Sequence, residues 1–535
     1  MSLEKILVIQ LNRMGDCFQT LPLLKRLKEE KPGASLTLLC VDAFVQIFGR
    51  LDYIDRIVGL PYPVFQALKQ ERNCAVGELA PELMENYDSV INLTSNETGA
   101  FISRGVSGEN RSGFYSGPPQ IRLKGDWAKY LFASQKCRRL NLFNLVEIQM
   151  GMAGVPLKPF PFRAPVSLDE MRRARSLLDD EGYAAKGRLV ALQLGASKLH
   201  RAWPVESFSS LADSLLENRS MEILLLGSTA EKELAAAFLS RVSHPVIDLV
   251  GKTRMADLPG LLKSCDLLVS NDTGSIHVAA AVGTRALGIY FSTAYFAETA
   301  PFGEGHVVLQ AEMPCCPCHT EDMCEEVRCR DVIGADTVRK AVDMILDGKS
   351  DMDLNDPRLC AYRSSFLSNG TLAYTPILSQ IIPARHPAAL VWHAAWCAAL
   401  GIRYDAEYLR QLLAKPDSAP RSLAIIDDIL KETAELGDKY SSAAALARLA
   451  IVELTGPGGA GKTTSDTGSR LNSMDGQITS SAPDPIKYYH ILEIADIDYD
   501  DPVKAVKQLY RAYSKLGIMI SAMTSSLEFL RRSVL

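Results

Sequence analysis

A chain of 535 residues allows three or four domains at roughly 150 residues each. Its composition, 47% hydrophobic and 23% charged with 36 Gly and 27 Pro, is ordinary globular usage, which excludes wholesale disorder, collagen-like repeats and a coiled coil. Lys and Arg (58) nearly balance Asp and Glu (63) for a formal charge of −5, so no overall basic excess advertises nucleic acid as a partner.

The N-terminal apolar run Ile6-Leu7-Val8-Ile9 meets Gln10 and Asn12 too soon for a signal-peptide core. Residues 6–11 read instead as a buried strand, 20–28 as an amphipathic helix, and 35–40 and 89–93 as further strands. Such alternation implies a parallel sheet covered by helices on both faces. The Pro-rich stretch 155–165 cannot continue a helix and makes a stiff linker. Alternation then restarts, with strands at 189–194, 222–226 and 267–270 and helices at 205–217, 231–241 and 255–263. Two doubly wound domains, 1–160 and 161–348, place a cleft between their strand carboxyl ends. Past 348 the pattern becomes mainly helical, with helices at 388–400, 406–413, 423–436, 441–454 and 503–513 and a further one to about 532. Between them, 455–485 is rich in Gly, Ser, Thr and Asp and reads as a flexible loop. The longest apolar stretch, 388–400, falls short of the roughly 20 residues a bilayer requires, and a soluble, cytoplasmic protein is expected.

Three constellations point to chemistry in the cleft. Arg13-Met14-Gly15-Asp16 follows the first strand and opens a helix; Asp16 either caps that helix or points into the cleft as a base. Leu194-Gly195-Ala196-Ser197-Lys198 with Arg201-Ala202-Trp203-Pro204 follows the first strand of the second domain. Ser197, Lys198 and Arg201 suit a diphosphate there, though a solvated surface loop has the same composition. Asn271-Asp272-Thr273-Gly274-Ser275-Ile276-His277 runs from a strand through a Gly turn into a small-residue helix, again aiming N–H groups at a phosphate. His277 either faces the same cleft or is a satisfied core histidine.

Together these motifs resemble the ADP-heptose heptosyltransferases of glycosyltransferase family nine, over residues 3 to about 348: Gly-Asp-x-x-x-Thr-x-Pro at 15–22, Gly-Ala-Ser…Trp-Pro at 195–204 and Asn-Asp-Thr-Gly-x-x-His at 271–277, in the family's order. The resemblance implies a GT-B fold, inversion at the anomeric centre and no catalytic metal. It implies Asp16 as the general base on the acceptor hydroxyl, Arg201 in place of the family's usual Lys on the diphosphate, and Thr273 and Gly274 receiving the leaving phosphates. Asp272 and His277 would shape that site, Glu231 would bind ribose, and Thr253 would lie along the base. Gln19 stands where the family often has His, which puts the acceptor-side contacts in doubt.

Of twelve cysteines, seven are scattered singly and five crowd between 315 and 329. Cys315, Cys318, Cys324 and Cys329 have metal-ligand character and match a cysteine segment of the family, some of whose members hold iron there. Structural zinc or iron, two disulfides, and plain thiols are all compatible with that spacing.

Two motifs are decoys. Gly456-Pro457-Gly458-Gly459-Ala460-Gly461-Lys462-Thr463 spells a P-loop, but 446–454 suits a helix rather than the strand a P-loop follows, and the residues after 463 suit a helix poorly. Asp498-Tyr499-Asp500 is a formal Asp-x-Asp with no strand before it and reads as a solvated turn. The expected function is an inverting glycosyltransferase using a nucleotide-sugar donor, ADP-heptose by resemblance, on a lipopolysaccharide-core or protein hydroxyl, with peripheral contact at the inner membrane face on the first acceptor. A binding or scaffold protein, self-associating through its helical tail, and a P-loop nucleotide hydrolase are the competing readings.

Overall fold

The computed structural model describes residues 3–49, 51–70, 76–117, 120–217, 220–318, 324, 326–354, 356–378, 386–413, 419–455, 465–495, 497 and 502–535. They divide into two compact units, Met1–Arg111 with Phe143–Pro383, and Ser112–Leu142 with Ala384–Leu535.

The first unit holds both expected doubly wound halves. In the N-terminal half, β1 (Lys5–Gln10), β2 (Ser35–Val41), β3 (Arg56–Leu60) and β4 (Tyr87–Asn92) are parallel in the order β3-β2-β1-β4. These strands are short, continuous apolar runs because both faces are covered: Leu7, Val8 and Ile9 are fully buried. β5 (Gly108–Gly117) follows β4 in this sheet and carries the chain into the second unit.

The second half repeats the plan. Its strands are β7 (Arg188–Gln193), β8 (Met221–Leu226), β9 (Ile247–Asp248), β10 (Leu267–Asn271), β11 (Arg285–Tyr290) and β12 (Val307–Ala311), parallel in the order β9-β8-β7-β10-β11-β12, after β6 (Gln120–Lys124) in the other unit. Strand order reverses between β7 and β10, so a crevice opens at their carboxyl ends. Val190, Leu192, Val269 and Leu287 build the core beneath it.

This sheet extends past the expected boundary at 348. β13 (Leu359–Phe366) and β14 (Leu372–Pro376) form an antiparallel hairpin on β12, in a stretch whose surroundings read as helical. A buried carboxyl secures it: Glu147 accepts from the Leu372 and Asn144 backbone N–H groups, both at 2.7 Å. Burial pushes Glu147 up to about 8.

The second unit is a helical bundle that includes a piece of the N-terminal region. Helices 423–436 and 441–454 are one helix, Ala419–Thr455, and the expected C-terminal pair is one helix, Pro502–Val534. Gly437 reads as a break, yet it lies inside the first of these helices and faces Ile520, while Gly517 in the other faces Tyr440. Small residues there admit large partners across the interface, which outweighs the roughly 1 kcal/mol helix penalty of a glycine. Ser465–Ser481 is likewise helix, where flexible loop was expected. Thr467, Leu471, Met474 and Ile478 recur at helical spacing on its inner face, a stripe that the polar composition hides. Helix Asp126–Lys136 belongs here as well: Lys129 pairs with Glu493 at 2.8 Å, and Tyr130 meets Trp396 edge-on at 5.0 Å. Among the described residues no helix is long and apolar enough to cross a membrane. The P-loop-like segment 456–463 and Asp498-Tyr499-Asp500 lie outside the described residues; the segment's described flanks are helices on both sides, not the strand a P-loop follows.

Candidate active site

The first element of the site is the start of helix Met14–Glu30, which leaves the carboxyl end of β1. Gln10 at that strand end donates through Nε2 to Thr20 Oγ1 at 2.9 Å, and the Thr20 hydroxyl donates to the Asp16 carbonyl at 2.8 Å. Asp16 is thereby held in the first turn, where its Oδ2 accepts from the Arg13 backbone N–H at 3.1 Å. Asp16 thus bonds its own helix start and also lines a cavity. Burial raises its carboxyl above the ordinary carboxylate range, with the charge of Asp272 adding to the rise and Arg13 opposing it.

The second element is the turn after β10. Thr273 precedes helix Gly274–Val282, and no side chain caps that helix's first N–H groups. The Thr273 hydroxyl lies 3.0 Å from Ser270 Oγ, and Ser275 donates to Gln193 Oε1 at 3.1 Å. A helix start left uncapped this way favours an anion through its N–H groups and its dipole. His277, one turn in, is buried; its Nδ1 has no hydrogen-bond partner, and burial lowers its pKa to about 4, so the ring is neutral.

These two helix starts meet glycine to glycine. A Cβ on Gly15 would lie 3.1 Å from His277 Cδ2 and 3.3 Å from Gly274 Cα; one on Gly274 would strike the Met14 methyl. The tighter constraint is at Gly15, where a side chain would press on His277 and on the Gly274 backbone; at Gly274 the Met14 methyl would have to move aside.

The third element is the loop after β7. Asn271, fully buried at the end of β10, fixes it: Nδ2 donates to the Leu194 and Gly195 carbonyls at 2.8 and 3.2 Å, and Oδ1 accepts from the Trp203 N–H at 2.9 Å. Trp203 itself is buried against Phe208 and donates to the Ile333 carbonyl at 2.7 Å. The loop thus presents Arg201 to Asp272, with which it forms an ion pair, while Arg201 Nε is buried without a partner. Ser197 and Lys198 are exposed on the same loop. At the end of β8, Glu231 accepts from Gln193 Nε2 at 2.8 Å and from Ser228 N–H and Oγ at 2.6 and 2.7 Å. Thr253, half-buried, follows the turn after β9.

Asp16, Arg201, Asp272, Thr273, Gly274 and His277 are therefore drawn together, and Glu231 is linked to them through Gln193. Thr253 has no contact with this group in the described geometry. Asn271 and Gln193 do the organising; Asn271 opens the Asn-Asp-Thr-Gly motif, whereas only its place at a strand end could have marked Gln193. Beside Asp16 lies a cavity of about 620 Å³, lined among others by Asn12, Arg13, Phe44, Tyr62, Lys69 and Asn96. Lys69 sits 4.4 Å over the Phe65 ring. The residues that build this cavity are spread from 11 to 96, and apart from Arg13 and Asp16 they carry no motif.

The cysteine expectation needs correction. Cys315 and Cys324 are exposed, Cys318 is half-buried and Cys329 is buried. Among the described residues no three His, Cys, Asp or Glu side chains come together to hold a metal. The four thiols do not fit a four-thiolate site, because spacing in sequence does not make their sulfurs converge. Cys316 and Cys329 instead share Ser292, whose carbonyl accepts from Cys316 Sγ at 3.7 Å and whose N–H donates to Cys329 Sγ at 3.3 Å; the neighbouring Cys316 thiol lowers the Cys329 thiol to about 7.

The chain is similar to known glycosyltransferases. Residues 76–327 match the family model of glycosyltransferase family 9 (heptosyltransferase). The lipopolysaccharide core heptosyltransferase OpsX of Haemophilus influenzae is 23% identical over 299 residues, covering 54% of this chain and 79% of that protein. Lipopolysaccharide heptosyltransferase 3 of Escherichia coli K12 is 24% identical over 285 residues, covering 52% and 80%. The crystal structure of a family 9 glycosyl transferase from Veillonella parvula matches 65% of this chain and 99% of its own at 19% identity, with a TM-score of 0.54. That likeness establishes the GT-B arrangement of two doubly wound halves.

Proposed function

We propose that this chain, a heptosyltransferase-like protein of glycosyltransferase family 9, transfers heptose or a related sugar from a nucleoside-diphosphate donor to an acceptor hydroxyl with inversion. The observation that carries the reading is the glycine-to-glycine contact, which sets one carboxylate with a raised pKa against an uncapped helix start flanked by Arg201. The names of the relatives favour heptose as the sugar and lipopolysaccharide core as acceptor, and the motif resemblance adds ADP-heptose as donor.

In this mechanism the acceptor enters by the cavity beside Asp16. Asp16 takes the hydroxyl proton as the oxygen attacks the anomeric carbon. The bond to the diphosphate oxygen breaks, and the electron pair leaves with the diphosphate. Its charge is received by the N–H groups at Gly274 and Ser275, the Thr273 hydroxyl, Arg201 and Lys198. Donors fixed beforehand stabilise developing charge without reorganising, so the chain's own groups suffice for the leaving group. Glu231 hydrogen-bonds the ribose, Ser197 supports the diphosphate, and Thr253 lines the base. The neutral His277 keeps Asp16 and the turn in register and contributes no charge.

Incubation of the purified protein with ADP-heptose and a lipopolysaccharide-core acceptor is expected to release ADP only when both are present. No release with any nucleotide sugar, under conditions where the donor binds, overturns the enzymatic reading and leaves a binding protein.

A further inference from the structure

We propose that Cys316 and Cys329 form a reversible dithiol–disulfide pair, a redox-sensitive tie between the chain around 313–333 and the turn that follows β11. Neither the transferase chemistry nor the four-cysteine metal reading uses Cys316. Both sulfurs are anchored on a single residue, Ser292, two positions past the end of β11. Its backbone N–H donates to Cys329 Sγ at 3.3 Å, and its carbonyl accepts from Cys316 Sγ at 3.7 Å and from the Cys318 N–H at 2.8 Å. Ser292 adopts a left-handed backbone with φ 59°, which turns both of its polar groups towards the cysteines. Gln310 Nε2 donates to Cys316 Sγ at 3.5 Å.

Two sulfurs hydrogen-bonded to the N–H and the carbonyl of one residue need little backbone movement to reach bonding distance. The other thiols of the cluster are not so placed. Cys324 is exposed and donates to the Glu326 carbonyl, and Cys315 is exposed. The hydrogen bond from the Ser292 N–H stabilises negative charge on the Cys329 sulfur, which makes it the attacking sulfur.

The oxidant is a low-molecular-weight disulfide such as oxidised glutathione. Cys329 thiolate attacks one of its sulfurs and displaces a thiolate, leaving a mixed disulfide on Cys329. The Cys316 sulfur then attacks the Cys329 sulfur, loses its proton and expels the second thiolate. The protein gives up two electrons and two protons, and the small disulfide is reduced to two thiols. Both cysteines are buried, so exchange is slow in the folded chain. β11 pairs directly with β10, with Asn271 opposite Ile289, so the tie borders the strand that carries the Asp272–Gly274 turn.

The test treats the full-length protein with oxidised glutathione, quenches with acid, alkylates under denaturing conditions and maps the peptides by mass spectrometry. A Cys316–Cys329 crosslink that dithiothreitol reverses is expected, together with an upward shift of the thermal midpoint on oxidation. The crosslink disappears in Cys316→Ser and Cys329→Ser and persists in Cys315→Ser and Cys324→Ser. Complete alkylation of both cysteines after oxidation overturns the proposal. So does a crosslink through Cys315, Cys318 or Cys324, or stoichiometric zinc or iron shielding both thiols in the protein as purified. Should a serine variant fail to fold, the wild-type peptide map decides alone.

Discussion

The two helix starts that meet at Gly15 and Gly274 look alike in sequence, each a strand end, a small turn and a helix, yet they are finished differently. Helix Met14–Glu30 brings its own anion, because Asp16 accepts from the Arg13 N–H inside the first turn. Helix Gly274–Val282 has no side-chain cap, so its N–H groups remain for an anion from elsewhere. One helix start can therefore hold a base, and the other can receive a leaving diphosphate. The difference also separates their electrostatics: burial raises the pKa of Asp16, whereas it keeps His277 neutral, so no cation from the second helix neutralises the base.

The most severe break of this division is Asp16→Ala. Transfer is expected to fall about 10²- to 10⁴-fold, the usual contribution of a general base, while calorimetry shows donor affinity unchanged. Retention of most turnover would mean that Asp16 serves only its helix. Arg201→Ala acts on the other side. Donor affinity is expected to weaken about tenfold to a hundredfold, equivalent to roughly 1.5–3 kcal/mol for a charged hydrogen bond, and an unchanged dissociation constant removes Arg201 from the diphosphate. Gly15→Ala tests the contact itself. Its methyl meets His277 Cδ2 at 3.1 Å, so kcat should drop about tenfold through misplacement, with little change in thermal midpoint. Equal losses in both would reduce the contact to ordinary packing.

The pH profiles sharpen the comparison with the smallest effect. Because the pKa of Asp16 is raised, turnover should fail on acidification at a higher pH than an ordinary carboxylate would dictate. Stability responds to a different acid. Glu147 has its folded-state pKa raised to about 8 from an ordinary value of 4.5, so its stabilising share is complete below 4.5 and is lost as pH rises through about 8. Glu147→Gln should flatten the decline of unfolding free energy across that window without moving the acidic limb of turnover. A variant that moves both would show the two sites to be coupled.

Legibility differed across the chain for physical reasons. Strands β1, β2, β4, β7, β8 and β10 were readable as continuous apolar runs, since a strand covered on both faces advertises itself. The helix at 465–481 was not, because its four inward residues are diluted by Gly, Ser and Asp, and only packing reveals the stripe. Helix Ala419–Thr455 was split at Gly437, whose local penalty is overridden by a partner helix that no local signal announces. In the site, Asp16 and the Asp272–His277 turn were legible from a polar residue after a strand and a glycine before a helix. Gln193 and Cys316 were not, and Asn271 was legible only as part of its motif, since their roles lie in hydrogen bonds to residues many positions away.

The sequence by itself determined the two doubly wound halves, the residues of the three cleft motifs and the chemistry they suit, because strand periodicity and turn residues are local properties. Only the tertiary structure decided that Gly15 touches Gly274, that Arg201 pairs with Asp272, that Ser112–Leu142 joins the helical unit, and that Cys316 rather than Cys315 shares Ser292 with Cys329. Each of these depends on where separate segments arrive in space, which burial and hydrogen bonding over the whole chain fix and residue spacing does not.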